Sequence, residues 1–381
     1  MISGVSARKR RPGERGDGSG PSGEEARGTE SAPAATPAEA AEPLPATWTR
    51  RAVTVPAALV SAAAFLCAAP VWGLAALLWD GLSGTGRTLP RTRALAFLGL
   101  YLACEAAGLA AAAALWVATA GGRTCGPRAW VERNAALQRW WAGALFHGSR
   151  RLFSMEVLAE GLSRADEAPF LLLVRHASVA DTVLAAALLA GPRRILLRYV
   201  LKRELLWDPC LDVVGRRLPN AFVRRRGPGL DGEVAAIAAL ARDLDARSGV
   251  LIYPEGKRFS EARRTSAVAS LAARGRPDLA EIAAGYRNVL PPKLRGPLAL
   301  LEAAEGVDVV VLEHCGLEGA ATFPSFWRGA LVGKTLRLRL RRFPAAEIPA
   351  RDRERWLFEV WAETDRWISE AREAAGEPRV P

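Results

Sequence analysis

Residues 52 to 79 run without a charged side chain, and residues 94 to 122 carry only Glu105. Crossing the hydrocarbon of a bilayer takes about 20 apolar residues in helical form, so both stretches are long enough. They predict a helical hairpin over residues 52–122. Two arrangements satisfy the pattern: a transmembrane or re-entrant hairpin, and a pair of Ala-rich helices buried in a soluble bundle. Pro70 and Glu105 weigh towards the second. An acidic side chain near a bilayer centre costs about 2.5–3.5 kcal/mol on insertion scales, so Glu105 is expected to face a partner helix or an interface. The reading is a transmembrane hairpin; if both helices span, Arg87, Arg91 and Arg93 lie opposite the downstream domain, against the usual bias of basic residues, which leaves a shallow re-entrant hairpin open as well.

The flanks divide the rest of the chain. Residues 1–46 are rich in Gly, Pro, Ala, Ser and Glu, have no aromatic residue, and read as a disordered tail. Residues 129–155 interleave Trp130, Trp140, Trp141, Phe146 and Phe153 with Arg133, Arg139, Arg150 and Arg151. That pattern fits an interfacial amphipathic helix, and equally a helix docked on a domain by an ordinary core face. From residue 168, strand-length apolar runs at 168–175, 194–200, 249–253, 307–312 and 335–342 alternate with helical patterns near 181–190, 233–247, 297–305 and 352–374. Such alternation predicts an α/β domain over 156–345 whose loops carry the site, followed by a C-terminal helix and tail over 346–381.

Composition narrows the function classes. The formal net charge is +12, which implies contact with an acidic partner: nucleic acid, anionic lipid or a phosphate-bearing cofactor. The basic residues are 47 Arg and 5 Lys in a chain of 35 Gly and 25 Pro, a skew that reads as coding bias. Only placed clusters therefore carry weight, and with no recognisable reading module and an apolar hairpin, no nucleic-acid partner is expected. Five Cys without a Cys-x-x-Cys pair, and three His, indicate neither a disulfide framework nor a metal centre.

Two motifs carry chemistry. In RHASVADT, His176 follows a buried-type strand and Asp181 comes five residues later. A tight loop at a strand end can fold the carboxylate onto one imidazole nitrogen, leaving the other for a substrate hydroxyl. Alone, the same residues fit a helix N-cap and a loop histidine. In YPEGKRFS, residues 253–260, a strand ends in a Gly turn that presents backbone N–H groups, Lys257 and Arg258. The Arg258 fork can grip phosphate oxygens, with Glu255 to orient it. Alone, that string fits a turn with a solvated charge pair.

Together, His-x-x-x-x-Asp after one strand and Pro-Glu-Gly-x-Arg after another resemble the glycerolipid acyltransferase family, which includes the bacterial 1-acylglycerol-3-phosphate acyltransferases. The resemblance covers roughly residues 150 to 345. In KRELLWDPCLDVVGRRLPNAFVRRR, Lys202, Glu204, Pro209, Gly215, Phe222 and Arg225 fall at positions resembling the family's second block, although Arg224 replaces its usual acidic or amide residue. VDVVVLEHCG resembles a strand lining the substrate pocket but lacks the common Pro, which weakens any role for Val310 or His314. Arg175 stands where Asn is usual before the His, and Ser178 fits the pattern.

The resemblance implies a mixed sheet flanked by helices, with the membrane hairpin in front. It also implies an O-acyltransferase of phospholipid biosynthesis, with His176 as general base and Asp181 as its orienting partner. Glu255, Gly256, Lys257 and Arg258 would bind the acceptor phosphate, with Lys202 and Arg225 as further substrate contacts and Arg224 and Arg226 as lesser ones. The implied partners are a lysophospholipid acceptor, an acyl-CoA or acyl-carrier-protein donor and membrane lipids; no metal or cofactor is called for. The implied location is a bacterial inner membrane with the domain on the cytoplasmic side. Other readings are acylation of a different lysolipid or an aminolipid, and a non-catalytic lipid-binding protein on the same fold.

Overall fold

The structure, a computed structural model, describes residues 44–224 and 230–376. Arg225, Arg226 and all but the last residues of the 1–46 tail lie outside them.

Seven strands form one sheet in the order β1-β7-β6-β2-β5-β3-β4. They are β1 (Glu156–Glu160), β2 (Phe170–Val174), β3 (Leu196–Lys202), β4 (Ala221–Val223), β5 (Ser248–Ile252), β6 (Asp308–Cys315) and β7 (Thr335–Phe343). All neighbours are parallel except β6 and β7, so the sheet is mixed. Central β2 and β5 are buried throughout, as expected for parallel strands covered on both faces. Alternation divides their side chains: Phe170, Leu172 and Val174 enter one core, Leu171 and Leu173 the other.

The first core is roofed by helices from before the sheet. α1 (Leu44–Cys67), α2 (Ala69–Leu82), α3 (Pro90–Ala118) and α4 (Gly126–Leu152) precede β1. α4 is a docked helix: it buries Ala142, Leu145 and Phe146, the last of them in the first core, and its Trp141 donates to Glu105 Oε1 of α3 at 3.1 Å. Trp140, Arg150 and Arg151 remain exposed.

The second core is closed from behind by the helix Arg353–Ala374, which buries Leu357, Phe358, Trp361 and Ile368. Each such large apolar side chain contributes about 1.5–3 kcal/mol on burial, so this helix is part of the domain and not an appendix after residue 345. Its Asp365 Oδ1 accepts the backbone N–H groups of Arg287, Asn288 and Val289.

The apolar stretch 52–79 is two helices, because Pro70 supplies no N–H and starts a new helix at Ala69. α2 has 14 residues, and the uncharged part of α1 covers about 24 Å at about 1.5 Å per residue, short of the roughly 30 Å of bilayer hydrocarbon. By length and composition alone, Pro45–Cys67 and Pro90–Ala118 are long and apolar enough to cross a membrane.

Their contacts describe a different path. Arg93, near the start of α3, donates to Leu152 O and, at 3.0 Å, to Ser154 Oγ. Phe97 packs on Phe153 and Phe326 at ring separations of 5.8 and 5.6 Å. Midway, Cys210 N donates to Glu105 Oε2 at 3.3 Å, and further on Arg217 Nη1 donates to Ala112 O at 3.0 Å. α3 therefore packs along later residues of the chain, from Leu152 and Phe326 near its start to Arg217 near its end. At the other end of the hairpin, Arg50 and Arg51 hold the buried Asp212 at 2.8 and 2.9 Å. Val60, Val71, Leu74, Leu78, Trp79 and Leu82 are left exposed on α1 and α2.

Candidate active site

Strands β6, β2 and β5 are adjacent and parallel, so the segments that leave them meet at one edge of the sheet. Ligands of open α/β sheets gather in the crevice beyond such carboxyl ends. His176 follows β2 by two residues, Tyr253 to Arg258 follow β5, and His314 to Ala321 close and follow β6. β3 and β4 end at the same edge, where Lys202 pairs in register with Val223.

Asp181 opens a short 3₁₀ turn at Ala180–Val183 and folds back on the loop that precedes it. Its Oδ2 accepts the N–H groups of Ala177 and Ser178 at 2.7 and 2.8 Å, and Oδ1 lies 3.1 Å from His176 Nδ1. The carboxylate is wholly buried, whereas the imidazole is 15 % exposed. An acceptor-only carboxylate fixes the ring hydrogen on Nδ1 and leaves Nε2 with its lone pair. Tyr253 stacks obliquely on the imidazole at 4.9 Å. Burial, and then Asp181, push the Tyr253 phenol well above its ordinary value, so it stays protonated.

Glu255 occupies a place its motif does not foretell. Its carboxylate is buried and turned inwards: Oε1 accepts the His176 N–H at 2.9 Å and Oε2 the Leu290 N–H at 2.9 Å. Through these two contacts it ties the turn after β5 to the His176 loop and to Leu290. Burial raises its pKa to about 7, with the two N–H groups and Arg175 opposing.

Gly256 adopts φ +65°, and a Cβ there would come within 3.1 Å of the Lys293 side chain. This left-handed residue sends the chain outwards, so that Lys257 and Arg258 are half-buried at the rim. Arg258 Nη1 donates to Ala321 O at 2.6 Å, which anchors the guanidinium to the segment after β6. Arg224, at the end of β4, pairs with Glu233 at 3.3 Å.

Arg175 and His314, to which the sequence assigns no role, and Glu318, which it does not single out, adjoin the His–Asp pair. Arg175 is buried and donates from Nη1 to Glu318 Oε1 at 2.6 Å and to His314 O, and from Nη2 to Asn288 O at 3.0 Å. Burial would raise the Glu318 carboxyl, but the Arg175 guanidinium outweighs it and holds the pKa down to about 2. His314 is buried, with Nε2 3.0 Å from Arg175 O and 3.6 Å from Asp181 Oδ2. A carbonyl accepts only, so Nε2 carries the hydrogen, and burial, opposed by Asp181 and aided by Arg175, favours the neutral ring. Among the described residues no cluster of His, Cys, Asp and Glu could hold a metal ion.

Residues 155–294 match the family model described as Acyltransferase. Over that segment the chain resembles the acyltransferase family. The matched segment runs from the residue before β1, through the His176 and Gly256 loops, to the residue just past Lys293. No curated protein matches the chain. Among solved structures, it is similar to the 1-acyl-sn-glycerophosphate (LPA) acyltransferase PlsC from Thermotoga maritima, at 16% identity and a TM-score of 0.42. That similarity covers 62% of this chain and 81% of the other.

Proposed function

We propose that this acyltransferase moves a fatty acyl group from a thioester, acyl-CoA or acyl-carrier protein, to the free hydroxyl of a lysophospholipid such as 1-acylglycerol-3-phosphate. The observation that carries the reading is the His176–Asp181 contact at 3.1 Å, at the edge where the Gly256–Arg258 turn also emerges. His176 Nε2 takes the proton of the acceptor hydroxyl as its oxygen attacks the thioester carbon. Asp181 steadies the imidazolium that forms, and the thiolate departs. Arg258, with Lys257 beside it, holds the acceptor phosphate, and Lys202 and Arg225 make further substrate contacts. Held in line, the two substrates need no covalent acyl-enzyme and no metal or cofactor.

The exposed apolar residues of α1 and α2 supply a face for the membrane that holds such an acceptor. Because α3 rests along the domain, we place the hairpin in one leaflet, with the domain on the cytoplasmic side of a bacterial inner membrane.

The test is direct: purified full-length protein in lipid vesicles receives a panel of lysophospholipids and labelled acyl-CoA or acyl-carrier protein, and the products are identified by mass. A diacyl phospholipid is expected. Thioester consumption without an acylated lipid, or no reaction with any acceptor, refutes the assignment.

A further inference from the structure

β6 ends at Cys315, and the chain turns at once on Gly316, whose φ of +102° and approach to Thr335 O leave no room for a Cβ. The Gly316 N–H donates to Glu318 Oε2 at 2.7 Å, which leaves Oε1 for Arg175 at 2.6 Å. A single 3₁₀ turn then fixes Glu318 to Ala321, whose N–H donates to Glu318 O at 2.9 Å. The Ala321 carbonyl in turn accepts from Arg258.

An unbroken chain of contacts therefore runs from His176 through its neighbour Arg175, across the ion pair to Glu318, along one turn to Ala321 and on to Arg258. We propose that Glu318 is a positioning residue, which fixes the Arg258 guanidinium relative to the His176 imidazole by locking the 316–321 turn onto Arg175. This rests on the reading of His176 as base and Arg258 as phosphate contact. Arg175 is 2 % exposed and Glu318 19 %, so water screens their attraction only in part. Arg175 is also held in register by its own N–H to Leu312 O at 3.1 Å, so the turn cannot slide without breaking the pair.

Glu318→Gln keeps an oxygen for Gly316 and removes the charge that faces Arg175. In the folded protein it is expected to raise KM for the phosphorylated acceptor about tenfold, and by less than about twofold when Arg258 is already Ala, because coupled positions are not additive. A loss of global stability alone would leave KM of the folded fraction unchanged, or change it by the same factor in both backgrounds; either result overturns the proposal. Amide exchange should quicken about tenfold or more in both 176–182 and 316–322, with β2 and β6 unaffected. Quickening confined to 316–322 also overturns it. If the wild-type protein acylates nothing, the reading of the chain as a lysophospholipid acyltransferase fails, and the exchange pattern alone decides the coupling. Should Glu318→Gln not fold, Arg175→Lys, which keeps the charge and loses the fork, is judged by the same measurements.

Discussion

Glu255 Oε1 accepts the backbone N–H of His176 at 2.9 Å. A carboxyl set by sequence among residues for a phosphate thus acts on the loop of the imidazole, 79 positions away. Its raised pKa has a consequence for pH. Folded, it binds its proton up to about 7 against an ordinary 4.5, so its stabilising contribution is complete below about 4.5 and is lost as pH rises through about 7. The difference amounts to about 3 kcal/mol. Glu318 has the opposite sign: held down to about 2, it stabilises above about 4.5, and that contribution is lost as pH falls through about 2. Urea unfolding of wild type and Glu255→Gln between pH 4.5 and 8 should show stability falling with pH in the first and not in the second. Parallel curves contradict the brace.

His176→Ala should lower acyl transfer at least about a hundredfold, the lower range for a general base. The ring is only 15 % exposed and pairs with the wholly buried Asp181 carboxylate, so stability should also fall by about 1–3 kcal/mol, and turnover is compared for the folded fraction. Near-normal turnover removes the His–Asp pair from the chemistry.

Arg258→Lys should raise KM for the phosphorylated acceptor about tenfold with kcat little changed, since an ammonium offers no fork and cannot hold Ala321 O and a phosphate in one plane. Steady-state kinetics against acceptor concentration decides it, and an unchanged KM counts against the contact.

The two motifs and the five expected strands were legible because they are local: a buried run, a Gly turn, an acid five residues from a His. What could not be read was long-range. β1 and β4 are short, and β1 is mostly exposed, so neither has the apolar run that announces a strand. Glu318 meets Arg175 across 143 positions, and nothing near either residue signals the pairing. The odd feature was Arg175 itself: a cation beside a catalytic-type His demands a buried anion somewhere, and that demand was the one available clue. Pro70 was visible from the start, but an uncharged run of 28 residues concealed that it divides two helices.

Gly256→Ala should destabilise the protein by about 1–2 kcal/mol, the cost of a left-handed conformation for an L side chain. Its new Cβ also crowds Lys293. Denaturant midpoints at constant slope measure the change, and a neutral effect shows that the turn can relax.

The course of α3 predicts sidedness. With Cys67 and Cys125 replaced by Ser, the thiol of Ser83→Cys should never react with an impermeant maleimide from the face opposite that of Glu204→Cys. Labelling of the two from opposite faces of sealed vesicles contradicts a hairpin lying along the domain.

The clamp of Arg50 and Arg51 on Asp212 bears on how the gene can be cut. A chain cut just after Arg51, with the rest of the hairpin kept in place, strips a wholly buried aspartate of both these cations. Stranding such a charge costs about 3–5 kcal/mol, enough to consume much of a typical domain's margin. Failed expression of that fragment would report on the missing arginines before it said anything about detergents.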